Sequence, residues 1–459
     1  MQKKYFILIS LLFLLSVFKV MAQEEWSLEK CIKYAFDNNI QIKQQALNVK
    51  MSEGKLFQSK MVVLPNLNAS ANQSYTYGRA VTDQNSVSND MANTYASLSS
   101  SLTLFDGFQK ISSIQQNKLD LLASTSDVEK IKNNVALNVA SAYLQILFSE
   151  DLVASATQQV DLSKMQVERT NVLVKAGSLP EGNLLEIEAQ LASDEVQLVN
   201  AQNQLDIANL NITQLLEIKS PEGFKIQKPL IGDGFEDRIV SLSTNDVFQT
   251  ALLSMPQILG ANYRVSYAEK GLKIAKAYQY PTLTLNGSYS SRAQKFLKDY
   301  YYDPNPTDGI PESVLYKDPA LFNQLKDKAS FTFGFNLAIP IFNGWQVRNG
   351  ISTAKISLDR NRLSLENEKN VLYKEIQQAY TDALAAKKKF KASQKSLIAL
   401  TEAFRYSEQK FTVGMVTSVD YTTAKTKLSK AETDLLQAKY ELIFKSKILE
   451  FYKGIPLSL

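Results

Sequence analysis

Alternating apolar and polar residues mark four short segments of this chain. In residues 66–77, Leu, Ala and Tyr alternate with Asn, Ser and Thr, so an extended strand here would have one apolar and one polar face. The same alternation recurs in residues 95–105, 282–291 and 331–339. The pattern therefore predicts four β-strands, each with one apolar and one polar face.

Two much longer segments have the periodicity of helices. In Gly107–Lys175 and again in Trp345–Thr412, apolar residues recur every three or four positions. These positions are Val128, Ile131, Val135, Val139, Ala142 and Ile146 in the first segment, and Leu372, Ile376, Ala379, Ala383, Ala386 and Phe390 in the second. A helix of this length spans ~100 Å. Coiled-coil or tubular packing is the expected arrangement for such helices.

Each long helix is followed by a glycine and a second helical pattern. Gly177 precedes a helix over about 182–217, and Gly414 precedes one over about 418–451. A short glycine turn between two helices predicts an antiparallel hairpin. Shorter helices are predicted before the strands, over about 27–61 and 245–278.

These elements occur twice, in the same order. Pro65 corresponds to Pro281 at an offset of 216, and Gly177 corresponds to Gly414 at an offset of 237. The difference between the two offsets falls between the two strands of the second copy, as expected for an insertion in a surface loop. We predict a signal peptide over 1–22, a first repeat over 23–219, a linker over 220–243 and a second repeat over 244–459. The predicted helical hairpins extend over about 107–217 and 345–451.

Composition and the N-terminus indicate an exported protein. Lys3 and Lys4 precede an apolar stretch, and Val20-Met21-Ala22 is typical of a signal-peptide cleavage site. The net charge of +5 is dispersed, so nucleic acid is not an expected partner. The single cysteine, Cys31, is interpreted as a small apolar helix residue. After residue 22 no run approaches the ~20 apolar residues of a membrane-spanning helix.

Four amphipathic strands behind a signal peptide favour an outer-membrane β-barrel over a β-sandwich. Because four strands cannot close a barrel and a bilayer tolerates no open sheet edge, the chain must associate with copies of itself. Two chains would supply eight strands with a largely filled interior, whereas three would supply twelve with room for water. The polar strand faces favour three.

The residues resemble a known family, the TolC family of outer-membrane efflux ducts, over Gln23–Leu459. The resemblance rests on the double repeat, on the helix starts at Ala35…Asn38-Asn39 and Ala251…Met255-Pro256, on the Leu-Phe-Asp-Gly strand exit and on the glycine turns. It implies an α+β membrane protein: a homotrimer with a twelve-stranded transmembrane barrel, four strands from each chain, continued by an α-helical barrel. It also implies the Gram-negative outer membrane and its lipid, a large periplasmic part, a periplasmic adaptor, and an inner-membrane pump of RND, ABC or MFS type.

The resemblance also implies site residues. The hairpin tips that would contact an adaptor are Ala176, Gly177, Ser178, Val413, Gly414 and Met415. Rings of aspartate would narrow the tunnel just beyond, where this chain has Asp420 at the first position and Thr423 at the second, with Asn183 and Glu186 at the equivalent places in the first copy. Asp420 is alternatively a first-turn acid that the helix dipole favours. Phe411 and Val416 occupy positions where a tyrosine and an arginine can lock the family's closed state.

Two other classes of function are weaker interpretations. The chain has no histidine, one cysteine and no phosphate loop or nucleophile elbow, so it lacks the parts of His-based, metal and nucleophilic catalysis. No enzyme activity or cofactor is expected. An exported structural or adhesive coiled-coil protein would explain the helices, but not the four strands. The sequence favours a passive duct for efflux or type I secretion, and it does not reveal the cargo.

Overall fold

A computed structural model describes residues 25–78, 80–81, 87–88, 90–229, 243–297, 301–302, 314–315 and 317–458. The predicted signal peptide and residues 230–242 of the predicted linker lie outside the described residues. The helices are α1 (Leu28–Asn38), α2 (Ile40–Met61), α3 (Gln109–Lys175), α4 (Glu181–Leu215), α5 (Thr244–Ser254), α6 (Pro256–Ala277), α7 (Leu321–Asp327), α8 (Gln346–Thr412) and α9 (Ser418–Tyr452). The strands are β1 (Asn68–Thr76), β2 (Ala80–Val81), β3 (Val87–Ser88), β4 (Met91–Phe105), β5 (Thr282–Phe296), β6 (Tyr301–Tyr302), β7 (Val314–Leu315) and β8 (Ser330–Ala338).

The two helical hairpins, α3–α4 and α8–α9, are the same length in both repeats. Helices α3 and α8 each contain 67 residues, and α4 and α9 each contain 35. All six apolar positions predicted in the second long helix are buried. Their spacing alternates between four and three, which is the heptad pattern of coiled-coil packing. In the first long helix Val128, Val135, Val139 and Ile146 are buried, whereas Ile131 and Ala142 are half-buried.

The hairpin core of the second repeat is rich in small residues. Ala379, Ala383 and Ala386 on α8 pack with Ala438 and Leu442 on α9. Alanines let two helix backbones approach closely, so α8 and α9 can pack tightly at these positions. None of the helices among the described residues has the length and hydrophobicity that crossing a bilayer requires.

The opening helices differ from the sequence-based prediction, since each is broken in two. Asn39 separates α1 from α2, and Met255 separates α5 from α6, both with extended backbone angles (ψ 128° and 125°). Asn39 makes the first break because its Oδ1 accepts the N–H groups of Gln41 (3.0 Å) and Ile42 (3.4 Å), which caps α2. Pro256 makes the second, because a proline disfavours helical geometry in the residue before it.

The four long strands form one antiparallel sheet in the order β1-β4-β5-β8. Two strands are longer than predicted, since β4 begins at Met91 and β5 continues to Phe296. A register shift lies between Thr103 and Phe105, so that Phe105, and not Leu104, lies opposite Leu283. The shift is a local irregularity that alternation alone does not reveal.

The register aligns like faces of neighbouring strands. Ser97 lies opposite both Ser70 and Ser290, and Ser99 lies opposite Asn68 and Ser288. On the other face Leu98 lies opposite Tyr289, which lies opposite Phe331. The sheet as a whole therefore has one polar and one apolar face, as the four separate alternations predicted.

Strands β1 and β8 form the two edges of this sheet, and every residue of both is exposed. The apolar side chains of β8 are among the most exposed, with Phe331 and Phe333 at 69%. Among the described residues, no further strand pairs with either edge, and the apolar side chains of β8 remain exposed. The sheet is thus incomplete as a single copy.

Two compact units make up the described chain. One contains the described residues of Met1–Asn48, Ser124–Ala261 and Ser364–Leu459, and the other contains Val49–Ala123 and Asn262–Leu363. The second unit holds the sheet, and the first holds the hairpin turns. Each unit takes segments from both repeats.

Removing the Asn39 side chain tests the first helix break. Asn39 is 6% exposed, and its Nδ2 also donates to the carbonyl of Leu215 (3.3 Å). We expect Asn39→Ala to cost about 0.5–2 kcal/mol, since it removes a helix N-cap. The measurement is the thermal midpoint of helix loss by circular dichroism. Asn39→Asp keeps the acceptor oxygen and is the control; equal midpoints for the alanine variant and the wild type would contradict the capping role.

Candidate functional site: the hairpin turns and the seam between the hairpins

Both hairpins turn at a glycine in the left-handed backbone conformation. Gly177 has φ 72° and Gly414 has φ 74°, and a Cβ at either place would meet no atom within 4 Å. The backbone conformation, not lack of space, therefore requires glycine here. The N–H groups of Ser178 and Met415 donate to Leu173 O (2.9 Å) and Lys410 O (2.8 Å), which closes the same helix-ending motif in both turns.

The six predicted tip residues all lie in these turns and are exposed. The second turn is the more apolar, because Val413 is 67% and Met415 is 76% exposed. The first has Ala176 and Ser178 at the corresponding positions. Two turns with the same backbone therefore present different side chains to solvent.

The return helices begin differently. Thr417 caps α9, since its Oγ1 accepts the N–H of Asp420 (3.1 Å) while Oδ2 of Asp420 accepts the N–H of Thr417 (3.2 Å). This reciprocal capping box stabilises the helix start. In the first copy Pro180 precedes α4 and makes no side-chain cap. Asp420 thus has the first-turn role that the sequence offered as an alternative, and its side chain remains exposed, which also suits a charged ring.

The other two predicted constriction residues have different surroundings. Glu186 on α4 accepts a hydrogen bond from Ser418 Oγ on α9, so it joins the two hairpins close to Asp420. The backbone N–H of Asn183 donates to Pro180 O (3.1 Å), and its side chain is half-buried. The structure therefore brings Glu186, but not Asn183, to the second hairpin.

An apolar cluster packs the first hairpin against the second just beyond the turns. Ile187, Phe411 and Tyr421 are buried in it, at 2%, 6% and 4% exposure. Val416, Val167 and Phe404 pack around them. The rings of Phe411 and Tyr421 stack with centroids 4.8 Å apart and planes at 25°. We call this cluster, together with the Glu186–Ser418 contact and the polar group around Lys425 that is described next, the hairpin seam.

Phe411 and Val416, the two positions where the family resemblance implied a polar lock, are part of this apolar packing. The sequence did not indicate which contacts hold the two hairpins together next to the turns. Here the contact is made by buried hydrocarbon and aromatic rings, whose stabilisation depends mainly on the area removed from water.

A buried polar group continues the hairpin seam away from the turns. Nζ of Lys425 on α9 donates to Ser163 Oγ on α3 and lies 3.3 Å from Oδ2 of Asp194 on α4. Ser163 Oγ in turn donates to Asp194, and Gln190 Nε2 donates to Asp194 Oδ1 (2.8 Å). The side chains of Lys425 and Asp194 are only 5% and 3% exposed. Three helices from both hairpins thus meet at one ion pair.

Burial changes the proton affinities in the hairpin seam. It lowers the pKa of Lys425, and the nearby Asp194 carboxylate opposes that shift. Burial raises the pKa of Tyr421 to about 12, with Glu408 and Asp194 adding to the rise and Arg169 reducing it. Burial thus favours the uncharged form of both side chains, whereas the Asp194 carboxylate favours the charged lysine.

The sequence interpretation missed this polar group. Lys425 lies four residues after Tyr421 and seven after Ser418, on the buried face of α9. A lysine at an inward position was the available signal, because lysine is almost never fully buried unless paired. Its partners could not be identified from spacing, since Ser163 and Asp194 belong to the other repeat and are distant along the chain.

A separate set of contacts holds the beginning of the linker against the helices. The hydroxyl of Tyr143 on α3 donates to Trp26 O (3.1 Å) and to Gln227 O. Lys228 lies 3.3 Å from both Glu150 and Asp151, and the hydroxyl of Tyr440 on α9 donates to Asp151 (2.6 Å). The described part of the linker is therefore held on the helices and not loosely suspended.

The described residues were also searched for a metal site and for a reactive cysteine. No group of three or more His, Cys, Asp or Glu in the described residues is arranged to hold a metal ion. Cys31 is fully buried on α1, and burial raises the pKa of its thiol to about 12. A neutral, buried thiol is a poor nucleophile, in agreement with its interpretation as an apolar helix residue.

The fold agrees with comparisons to known proteins. The family model described as "Outer membrane efflux protein" matches residues 31–217 and 247–452, which cover most of both repeats. The outer membrane protein TolC of Escherichia coli (strain K12) is 23% identical over 438 residues, covering 94% of this chain and 82% of that protein. The toxin and drug export protein A of Aggregatibacter actinomycetemcomitans is 23% identical over 328 residues, covering 70% of this chain and 64% of that protein.

A solved structure has the same fold. The crystal structure of CusC, described in connection with folding and transmembrane channel formation, superposes with a TM-score of 0.76 at 16% identity. The match covers 94% of this chain and 93% of that chain. The helical hairpins and the sheet are therefore those of a known architecture, although few side chains are shared.

Lys425→Met tests how much the buried ion pair contributes to the stability of the folded protein. The variant leaves the Asp194 carboxylate buried without its partner, and we expect a cost of about 3–5 kcal/mol. Adding Asp194→Leu removes the orphaned charge and should recover most of the loss. The measurement is the thermal midpoint of helix loss for the two single variants and the double variant.

The exposed ion pair Lys389–Glu441 is the matched control for these variants of the buried pair. Its Nζ–Oε2 distance is 2.8 Å, but its side chains are 47% and 38% exposed. We expect Lys389→Met to cost less than about 1 kcal/mol. A Lys425→Met midpoint as high as that of Lys389→Met would contradict a structural role for the buried pair.

Ionisation of Tyr421 should make the protein less stable at alkaline pH. Its folded pKa of about 12 exceeds the ordinary value of 10.0, so its contribution is present below pH 10 and is lost as the pH rises towards 12. A shift of that size corresponds to about 2–3 kcal/mol. Between pH 8 and pH 11 we expect Tyr421→Phe to lose less thermal stability than the wild type. Tyr406→Phe, at an exposed tyrosine, should behave like the wild type.

Proposed function

This chain belongs to the outer membrane efflux protein family, and we propose that it is the passive, trimeric exit duct of a tripartite efflux or type I secretion system. The observation that carries the proposal is the sheet, which has two free nine-residue edges and one apolar face. A hydrocarbon environment would cover that face, and only further strands can satisfy those edges. The chain therefore acts in the outer membrane, with its helical hairpins in the periplasm.

Three copies satisfy these requirements together. Strand β8 of one chain would pair with β1 of the next, and twelve strands would close a barrel with room for water. The apolar face, with Phe333 and Phe335 of β8, would then contact lipid. The polar face, with Ser97, Ser99 and Asn286, would line the lumen. A lumen of hydroxyl and amide groups passes polar solutes without binding any one class strongly.

The energy for transport would come from elsewhere. An inner-membrane pump of RND, ABC or MFS type would supply it, and a periplasmic adaptor would connect the pump to the duct. We place the adaptor contact at the two turns, Ala176–Ser178 and Val413–Met415. The support is their exposure, their identical backbone and the apolar side chains of the second turn, which suit a partner helix.

Asp420 is our candidate for the selective constriction. Its carboxylate is exposed at the first turn of α9, and threefold symmetry would repeat it as a ring of three negative charges. Glu186 lies near it through the contact with Ser418, so it would reinforce the negative potential, and Asn183 would add a polar group. Such a ring would favour cations and slow anions.

The proposal includes no catalytic step and no cofactor. The relatives are export channels, and this chain contains no histidine. A structural or adhesive coiled coil is not favoured, because it would give no role to a sheet with one apolar face.

A charge on the apolar face of β8 should impair membrane insertion. We expect Phe333→Arg to cost about 2–4 kcal/mol, as an arginine facing lipid does in other outer-membrane barrels. Thr332→Arg places the same charge on the polar face and is the matched control. The measurement is the yield of cross-linked trimer extracted from outer membranes with detergent. Equal yields, or a water-soluble monomer of the wild type, would contradict the barrel.

Planar-bilayer conductance tests the duct and its constriction together. The detergent-purified trimer should give discrete, cation-preferring current steps, and Asp420→Asn should weaken that preference. Asp327→Asn removes an exposed carboxylate of α7, just before β8, and should leave the preference unchanged. Unchanged selectivity in Asp420→Asn alone would exclude Asp420 as the filter while leaving the duct intact.

A further inference from the structure

Helix α7 occupies the edge of β5 beyond the end of β8. Strand β8 pairs with β5 only as far as Ser290, so the outer part of β5, Ser291–Phe296, extends past it. The side chain of Gln324 on α7 takes the place of a strand there: its Oε1 accepts the N–H of Gln294 (3.0 Å), and its Nε2 donates to Gln294 O (2.8 Å). Because Gln324 is 5% exposed and fully hydrogen-bonded, it holds α7 firmly on the sheet.

Helix α7 lies on the side of the sheet that carries the apolar face. Ser291 and Ala293 share that face with Leu285 and Tyr289, since alternate residues of a strand point the same way. The hydroxyl of Ser291 donates to Leu325 O on α7, and Ala293 is 2% exposed. The apolar face would contact lipid, a point that rests on the proposed function. Helix α7 would therefore lie outside the barrel and not in its lumen.

The apolar row of β8 places α7 at the outer boundary of the membrane. That row runs from Phe331 to Leu337, and α8 follows it towards the periplasm, so Phe331 is at the extracellular end. Helix α7 ends at Asp327, just before this row. Its own Leu321 and Phe322 are 54% and 78% exposed. Exposed apolar side chains at this level suit the boundary between acyl chains and headgroups.

Four exposed lysines surround the docked helix: Lys295 on β5, Lys326 on α7, and Lys317 and Lys328 on either side of α7. The Nζ of Lys328 donates to Gln324 Oε1 (3.2 Å), which places it beside the edge of β5. The other three make no ion pair with any residue that the structure describes. Ammonium groups at headgroup level attract phosphate oxygens.

The lysines and most of the acidic residues of this loop occupy different parts of it. The acidic residues are concentrated in 299–312, which apart from Tyr301–Tyr302 lies outside the described residues, and the four lysines flank that stretch. Nearer the lysines, Asp318 is engaged, since its Oδ2 accepts the N–H of Phe296 (2.8 Å). The corresponding part of the first repeat, residues 61–109, contains no lysine. The basic group is therefore a property of the second repeat alone.

We propose that these four lysines, with Leu321 and Phe322, form a binding site for the phosphate groups of an anionic glycolipid in the outer leaflet of the outer membrane. We call this site the lysine collar. The two apolar side chains would lie against the acyl chains while the ammonium groups contact the phosphates. Since Gln324 already holds α7 in place, little ordering remains to oppose lipid binding. Threefold symmetry would repeat the site three times around the barrel.

Removing the charge of the collar provides the direct test. The variant Lys295→Gln, Lys317→Gln, Lys326→Gln leaves the contact between Lys328 and Gln324 in place. The measurement is the fluorescence anisotropy of labelled, bisphosphorylated lipid A with the detergent-purified trimer at low ionic strength. We expect the variant to bind at least about tenfold more weakly than the wild type. Equal affinity would overturn the inference.

The matched control removes the same charge from another exposed surface. Lys355, Lys374 and Lys395 are exposed on α8, and their triple replacement by glutamine should leave the affinity for lipid A unchanged. An equal loss of affinity in this control would mean that only the net charge matters, and it would overturn the inference.

Two further probes separate a lipid from a free anion. Lipid A without phosphate groups should bind the wild type at least about tenfold more weakly than the bisphosphorylated form. Inorganic phosphate, at the ionic strength of the assay, should not displace the bisphosphorylated form. Displacement by inorganic phosphate would assign the lysines to a free anion and would overturn the lipid site.

The depth of α7 can be measured independently of lipid A. The only cysteine of the native chain is buried, so Phe322→Cys can carry a single fluorescent label. In phospholipid nanodiscs, we expect a lipid-bound quencher to reduce its emission, because the side chain lies at the headgroup boundary. A label at Tyr406→Cys, an exposed position of α8, should not be quenched. Equal emission with and without quencher at position 322 would overturn the placement of α7 on the membrane.

Planar-bilayer conductance of the same preparations separates failure of this inference from failure of the proposed function. Normal channels, with equal lipid A affinity in the collar variant and the wild type, would overturn the lysine collar and leave the duct intact. Absence of channels from every preparation, with lipid A affinity that depends on the three lysines, would argue against the duct and not against the lysine collar.

Discussion

The need of every backbone N–H and C=O group for a hydrogen-bond partner governs this structure. The nine helices of the described residues satisfy most of that need within themselves, including α3 and α8 with 67 residues each, and side-chain caps serve some of the helix ends. The sheet cannot, because β1 and β8 leave one side of nine residues each without a neighbouring strand. An edge of this length in a bilayer is very unfavourable, so self-association is a condition of the fold and not an addition to it. The pore follows from the same condition, since closing the sheet encloses its polar face.

Duplication preserved the backbone of the two repeats while their side chains diverged. Asn39 breaks one pair of opening helices by capping, and Pro256 breaks the other by steric restriction. The left-handed glycine is kept in both turns, because no L side chain substitutes for it without strain. The helix starts that follow are not kept: Thr417 and Asp420 form a capping box, whereas Pro180 makes no side-chain cap. Geometry thus constrains few residue identities, and the remaining positions were free to acquire separate roles.

The hairpin seam shows how that freedom was used. Aromatic stacking of Phe411 and Tyr421 contributes to the apolar burial near the turns, and the Lys425–Asp194 pair, with Ser163, joins α9, α4 and α3 farther along. Apolar contacts are tolerant of small slips, whereas a buried ion pair is not, because its attraction must offset the loss of hydration. The two kinds of contact together give a seam that is both stable and specific in register.

The amino-acid sequence determined the elements, the duplication and the membership of a family, because periodicity, glycine turns and strand alternation are local properties of the chain. It predicted the two hairpin turns from their glycines and all six buried positions of α8 from their spacing. It did not predict that the opening helices would be broken at Asn39 and Met255, since a single capping side chain or proline outweighed an otherwise continuous pattern. Only the tertiary structure assigned Ser163 and Asp194 to Lys425, because those partners are separated by 262 and 231 residues and nothing local links them. Local chemistry fixes which elements form, whereas long-range packing decides which side chains meet.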